Sequence, residues 1–161
     1  MHNRTLNWLI AFACHELLVA AYYFQYVEGL NPCPLCIVQR LAVFIIGVFA
    51  LLLALSNAKP LGIANRGLNG FGLLGALVGL VAAGRQVWLQ SLPADKIPEC
   101  GPSLEYMLDV FSANEVLAEL FKGSGECAKV DWSLLGFSMG AWMLAFFSTA
   151  TIFFVLRMWR K

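Results

Sequence analysis

Four long apolar stretches constrain the fold of this 161-residue chain more than any other feature. They run over residues 8–26, 37–55, 68–88 and 134–156. Each is close to the roughly 20 residues that a helix rising about 1.5 Å per residue needs to cross a bilayer core. Charged residues make up 13% of the chain, about half the share found in soluble domains. We therefore predict an all-α integral membrane protein, a four-helix bundle forming one domain over residues 1–161.

Lysine and arginine predict the orientation of the four spans. The two terminal segments and the short loop between the second and third spans carry basic residues and no acidic ones. The long segment 89–133 holds three lysines against eight acidic residues, a net charge of −5. Both termini are therefore predicted in the cytoplasm, with loops 27–36 and 89–133 on the outer side. The net charge of the whole chain, +1, gives no sign of a nucleic-acid partner.

The first span could in principle belong to a cleaved leader. Residues 11–14 are faintly similar to a lipoprotein cleavage site, but the apolar stretch before Cys14 is short and continues well past it. We expect this span to be retained.

Cys33 and Cys36 form a Cys-x-x-Cys pair at the predicted start of the second helix. A helix N-terminus favours a thiolate, and Pro34 suits the first helical turn. Under the predicted orientation the pair lies at the outer edge of the bilayer, on the side where disulfides persist. Arg40 follows Cys36 by four residues, which places both on one helix face. We predict that Arg40 stabilises an anion formed near Cys36; a snorkelling arginine that reaches lipid phosphates is the alternative.

Cys100 and Cys127 lie in the acidic outer loop, with 26 residues between them. A loop-closing structural disulfide and an accessible disulfide that undergoes exchange are both compatible with the glycines and prolines around them. A zinc site is disfavoured, because strong zinc signatures carry two closely spaced pairs and only one is present here. Cys14, inside the first span, is expected to be a small buried apolar residue.

Several polar residues lie within or beside the spans. His15 and Glu16 fall in the middle of the first span, and Glu16 is either protonated and hydrogen-bonded between helices or a proton carrier. Arg85 and Gln86 lie at the outer end of the third span, where Arg85 snorkels or contacts a ligand head group.

Residues 112–115, Ser-Ala-Asn-Glu, fit a capping box that opens a short amphipathic helix in the outer loop. Its apolar residues fall on one face, so we expect this helix to lie in the membrane interface.

These features together resemble the bacterial disulfide bond formation protein B (DsbB) family. The resemblance rests on four spans with both ends inside, Cys-Pro-Leu-Cys opening the second span, Arg40 four residues later, and a cysteine pair in the second outer loop. It covers essentially the whole chain, including Gly125-Glu126-Cys127 and the later Leu134-Leu135-Gly136.

The resemblance implies a multi-pass enzyme of the bacterial inner membrane that reoxidises a DsbA-like thioredoxin-fold protein of the periplasm. Reduced DsbA would attack the Cys100–Cys127 disulfide at Cys100. Electrons would pass to the Cys33–Cys36 pair and on to a membrane quinone, either ubiquinone or menaquinone. Cys36 would face the quinone and Arg40 would polarise or anchor its head group. Arg85 and Gln86 are weaker candidates for quinone contact.

Two other functions compete with this one. A structural four-span protein with disulfide-stapled loops would not need Arg40 beside a membrane-edge Cys-x-x-Cys pair. A transporter of reducing equivalents or of a small thiol predicts redox cysteines deep in facing spans, and only Cys14 is deep.

Overall fold

The computed structural model describes residues 2–56, 62–99, 101 and 104–159, and the chain is 79% helical. Its helices are α1 (His2–Tyr26), α2 (Pro34–Leu55), α3 (Ile63–Gln90), α4 (Leu104–Val110), α5 (Ala113–Lys122) and α6 (Met139–Trp159). α1, α2, α3 and α6 are long and apolar enough to cross a membrane. The predicted all-α four-helix membrane bundle is confirmed. The sidedness of its ends stays a prediction.

α3 is the centre of the bundle and packs between α2 and α6. Between membrane helices, small residues allow the close approach on which association depends. The rings of Phe154 and Phe147 fill the space that a Cβ would need at Gly72 and Gly79. Both rings are fully buried. Because the two glycines and the two phenylalanines are each seven residues apart, their pairing fixes the register of α6 on α3.

α1 packs chiefly on α2 and is the least buried of the four spans. Cys14 is buried in this contact, and a Cβ at Gly47 of α2 would lie 3.0 Å from the Cys14 Cβ. Cys14 is therefore the small packing residue that the sequence predicts. Near the N-terminus of α1, the side chain of Arg157 donates a hydrogen bond to Asn7 Oδ1 and joins α6 to α1.

The fourth long helix begins later than the predicted span 134–156, at Met139. Residues 133–138 form a hairpin of strands β1 (Ser133–Leu134) and β2 (Phe137–Ser138). Leu135 and Gly136 form its turn, with φ of 54° and 81°. Positive φ at both positions of a two-residue turn matches the right-handed twist of a hairpin. The apolar residues of this segment therefore lie in a turn before the helix.

The outer segment contains the predicted short helix as α5. Its capping box is formed: the Glu115 carboxylate accepts hydrogen bonds from the backbone N–H and the hydroxyl of Ser112, at 2.9 and 2.8 Å. Val116 faces the protein, while Leu117 and Phe121 remain exposed. Placement of this face in the membrane interface stays a prediction.

Candidate functional site

The Cys-x-x-Cys pair lies where α2 begins. Cys33 is the N-cap of α2, with extended backbone, and Pro34 follows in the first turn. The Sγ of Cys33 accepts a hydrogen bond from the backbone N–H of Cys36 at 3.3 Å. The two sulfurs lie 2.8 Å apart. Helix geometry therefore brings the pair together at the end of a span.

Cys127 joins this pair from the segment between α3 and α6. Gly123, with φ of 73°, ends α5 and lets the chain pass close over α2 and α3. A Cβ at Gly123 would lie 2.8 Å from the Cδ1 of Leu89 and 2.9 Å from that of Leu35. The 3₁₀ turn Gly125–Ala128 then buries Cys127 completely. Cys127 belongs to the same buried cluster as Cys33, against which Cys36 packs, and its thiol interacts with that of Cys33, so the three sulfurs lie together.

The interaction between Cys33 and Cys127 shifts the pKa values of the two thiols in opposite directions. It lowers the pKa of Cys127 to about 6, and N–H groups of Leu35 and Ser124 add to this effect, whereas burial opposes it. The same contact, with burial and Cys36, raises the pKa of Cys33. These shifts favour a thiolate at Cys127 and a thiol at Cys33 in the reduced protein at neutral pH.

Two buried glutamines extend from the sulfurs into the bundle. Gln86 Nε2 on α3 lies 3.5 Å from Cys36 Sγ and 3.9 Å from Cys33 Sγ. Its Oε1 accepts a hydrogen bond from Gln39 Nε2 of α2 at 2.7 Å, which turns the Gln86 amide nitrogen toward the sulfurs. A Cβ at Gly140 of α6 would lie 3.1 Å from the Gln86 amide carbon, so the glycine leaves room for it.

Arg40 lies one helical turn below Cys36 and is partly buried. Its guanidinium donates hydrogen bonds to Gln25 Oε1 and, at 3.0 Å, to the Ala21 carbonyl of α1. The guanidinium carbon lies 5.4 Å from the centre of the Tyr22 ring. These contacts hold the positive charge against α1.

A cavity lies between these groups. Cys36, Arg40 and Gln86 line it together with apolar side chains from α1, α2 and α6, among them Leu18, Val43 and Met143. At its outer end the ring of Trp132 packs on Phe24, with centroids 5.3 Å apart. The cavity therefore joins a sulfur, a cation and an amide donor to an apolar space within the spans.

Arg85 is placed elsewhere. Its Nε donates to the Lys122 carbonyl at 3.2 Å, and its guanidinium carbon lies 4.1 Å from the centre of the Trp88 ring. Arg85 is not among the residues that line the cavity, and it links α3 to the end of α5.

Cys100 lies outside the described residues, but its neighbours on both sides contact the segment before Cys127. The Glu99 carbonyl accepts a hydrogen bond from Gly125 N–H at 3.2 Å. A Cβ on Gly101 would lie 3.3 Å from Ser124 Cβ.

Sequence reasoning missed Gln39 and Gln25. Gln39 is an amide three residues after Cys36 and next to Arg40 within a predicted span, and this polar pair in an otherwise apolar stretch is the signal that could have identified it. Gln25 gives no such signal, because it lies where α1 ends and polar residues are expected.

Comparison with known proteins identifies the family of the chain. The family described as "Disulfide bond formation protein DsbB" matches residues 3–157. A protein of Nitrosococcus oceani named "Disulfide bond formation protein B" is 50% identical over 144 residues, covering 89% of this chain and 84% of that protein. Proteins of the same name from Hahella chejuensis and Marinobacter nauticus are 47% and 43% identical. They cover 90% and 100% of this chain, and 87% and 95% of their own lengths.

Proposed function

We propose an electron donor and an electron acceptor for this chain, which belongs to the disulfide bond formation protein B family and is a multi-pass protein of the bacterial inner membrane. It takes electrons from a DsbA-like periplasmic dithiol protein and delivers them to a membrane quinone, ubiquinone or menaquinone. The observation that carries the proposal is the meeting of Cys127, Cys33 and Cys36 beside a cavity within the spans.

The first steps are thiol–disulfide exchange. A thiolate of the reduced partner attacks Cys100 of a Cys100–Cys127 disulfide, forms a mixed disulfide with Cys100 and releases Cys127 as a thiolate. The low pKa of Cys127 makes it a good leaving group. The contacts of Glu99 and Gly101 with residues 124–125 support pairing of Cys100 with Cys127.

Cys127 is then positioned to attack a Cys33–Cys36 disulfide at Cys33, since the two side chains lie in one buried cluster. A Cys127–Cys33 disulfide forms and Cys36 is released as a thiolate. The Gln86 amide nitrogen, 3.5 Å from Cys36 Sγ, stabilises this anion. Attack by the second thiol of the partner on its mixed disulfide releases the partner oxidised and frees Cys100 as a thiolate. Cys100 then attacks Cys127 of the Cys127–Cys33 disulfide, which re-forms the Cys100–Cys127 disulfide and leaves Cys33 and Cys36 as the dithiol that a quinone would reoxidise.

The residues that line the cavity fit a quinone as the electron acceptor. A quinone ring is flat, has two carbonyl acceptors and carries an apolar tail, and the cavity offers the donors Arg40 and Gln86 among apolar side chains. Reduction of one quinone takes two electrons and two protons. The net reaction converts one dithiol and one quinone into one disulfide and one quinol.

The test uses the purified full chain with a reduced DsbA-like protein and soluble analogues of ubiquinone and menaquinone, with quinone absorbance followed over time. Arg40→Gln is expected to raise the KM for quinone by about tenfold or more, because a charged hydrogen-bond donor is lost. Arg85→Gln is the matched control and should change this KM less than about twofold, because Arg85 is a partly exposed cation that does not line the cavity. A folded protein that reduces neither analogue would leave a disulfide-stapled membrane protein as the better account.

A further inference from the structure

His15 and Glu16 lie near the middle of α1, far from both ends of its span. The aromatic residues Trp8 and Tyr22, which suit the two membrane interfaces, are each seven residues from His15. Seven residues of helix correspond to about 10 Å. The pair therefore lies near the centre of the bilayer, where ionisable side chains are costly.

His15 borders an open, largely apolar groove between α1 and α2, whereas Glu16 lies outside that groove. Both are exposed, and among the described residues neither makes a hydrogen bond or an ion pair. The surrounding face is also uncovered: Phe12 is 64% exposed and Val19 is 50% exposed. Intramembrane ionisable groups normally pair with one another or line a polar cavity, so this face lacks a partner.

The positions of the four residues on the helix indicate what that partner is. At about 100° per residue, Phe12 and Val19 lie almost on one line along α1. His15 lies about 50° to one side of this line and Glu16 about 50° to the other. When two copies of α1 run parallel about a two-fold axis, the flank that carries His15 on one helix faces the flank that carries Glu16 on the other. The face is therefore complementary to itself.

We propose that α1 is a self-association surface on which a second copy of this chain binds, with His15 of each copy hydrogen-bonded to Glu16 of the other. Phe12 and Val19 of the two copies pack along the axis. Two equivalent His–Glu pairs form, and Glu16 of one copy stays away from Glu16 of the other.

The pairing leaves the redox cavity open. Leu17, Ala21 and Phe24, which line that cavity from α1, lie on the far side of the helix from Phe12 and Val19. Each copy therefore keeps its own cavity, and the proposal does not depend on the chemistry that takes place there.

The test measures energy transfer between full-length chains labelled at the C-terminus with donor or acceptor dyes. The chains are placed in vesicles of phosphatidylethanolamine and phosphatidylglycerol at a series of protein-to-lipid ratios. In His15→Leu or Glu16→Leu alone, both pairs are lost, and the association constant should fall about tenfold, since each interhelical hydrogen bond contributes about threefold. Both substitutions replace a polar residue with an apolar one in the bilayer centre, so they favour insertion.

The decisive arm mixes the two variants. One His–Glu pair is restored when a His15→Leu chain meets a Glu16→Leu chain, and the mixture should associate about threefold more tightly than either variant alone. This gain requires both variants to be folded, which makes it a control for misfolding. A wild-type chain that stays monomeric at every ratio, singles as tight as wild type, or a mixture no tighter than the singles would each overturn the proposal.

Discussion

Two kinds of buried cysteine occur in this chain, and their surroundings differ. At the end of the bundle where α2 begins, Cys33 and Cys127 are buried among hydrogen-bond donors. In the seam between α1 and α2, Cys14 is just as buried but is surrounded by apolar side chains. Burial alone therefore does not make a thiol reactive. The donors around the sulfur decide whether it can carry the negative charge that exchange requires.

The largest effect should come from removing one cysteine of each kind. Cys36→Ala should lower the rate of quinone reduction at least about a thousandfold, because a reacting group is lost. Cys14→Ala should change it less than about twofold, since a small apolar residue replaces another. Both rates are measured with the reduced partner protein in excess. A large loss with Cys14→Ala, from protein that is folded, would remove the distinction between the two kinds of cysteine.

The stability of the apolar part of the bundle depends on side-chain packing, whereas the cysteine site depends on hydrogen bonds. Substitutions at two glycines of α3 test this difference. Gly79→Ala places a methyl group against the Phe147 ring and should lower the free energy of unfolding by about 1–3 kcal/mol. Gly70→Ala is the matched control, with nothing within 4 Å of its new methyl group. It should raise stability by about 0.5–1 kcal/mol through helix propensity. Both are measured by unfolding in mixed micelles, and equal effects would contradict the proposed register of α6 on α3.

Most of the fold could be predicted from the sequence, because bilayer thickness sets helix length and apolar runs record it directly. The capping box at Ser112 was equally readable, because it depends only on residues three positions apart. The start of α6 could not be predicted from the sequence. Leu134, Leu135 and Phe137 are as apolar as a span, and only their backbone conformation shows that they form a hairpin.

The site was predictable only in part, for a similar reason. The spacing of Cys33, Cys36 and Arg40 along one helix shows that they lie close together. The contact of Gln86 with the sulfurs depends on how α3 is rotated against α2, and the contact of Cys127 with Cys33 depends on how the loop folds after Gly123. Neither is encoded in a local pattern.

Substitutions of the two buried glutamines should have an intermediate effect on the rate. These glutamines belong to the hydrogen-bonding surroundings that distinguish the sulfurs of Cys33 and Cys36 from that of Cys14. Gln86→Leu should lower kcat for quinone reduction about tenfold, because a hydrogen bond to a charged sulfur is lost. Gln39→Leu should lower it about threefold, because Gln39 only orients Gln86. In the double variant the Gln39 effect should disappear, since its target is gone. Additive losses would show that Gln39 acts independently of Gln86.

The smallest expected change in rate comes from raising the pKa of Cys127. Cys33→Ala removes the donor that most lowers the pKa of Cys127 from its ordinary value to about 6. The pKa should then rise toward roughly 8.5, the value of a free thiol, and the thiolate present at pH 7 should fall. Ultraviolet absorbance of the thiolate, measured against pH on reduced Cys33→Ala protein with and without Cys127→Ala, reports this shift. Cys14→Ala is the control that should leave the titration in place. Reaction of the Cys127 thiolate with a small disulfide reagent at pH 7 should slow only about twofold to threefold, because a more basic thiolate is also a better nucleophile. A midpoint still near 6 in Cys33→Ala would mean that the N–H groups of Leu35 and Ser124 hold the charge, and that the three-sulfur contact is not what distinguishes Cys127 from Cys14.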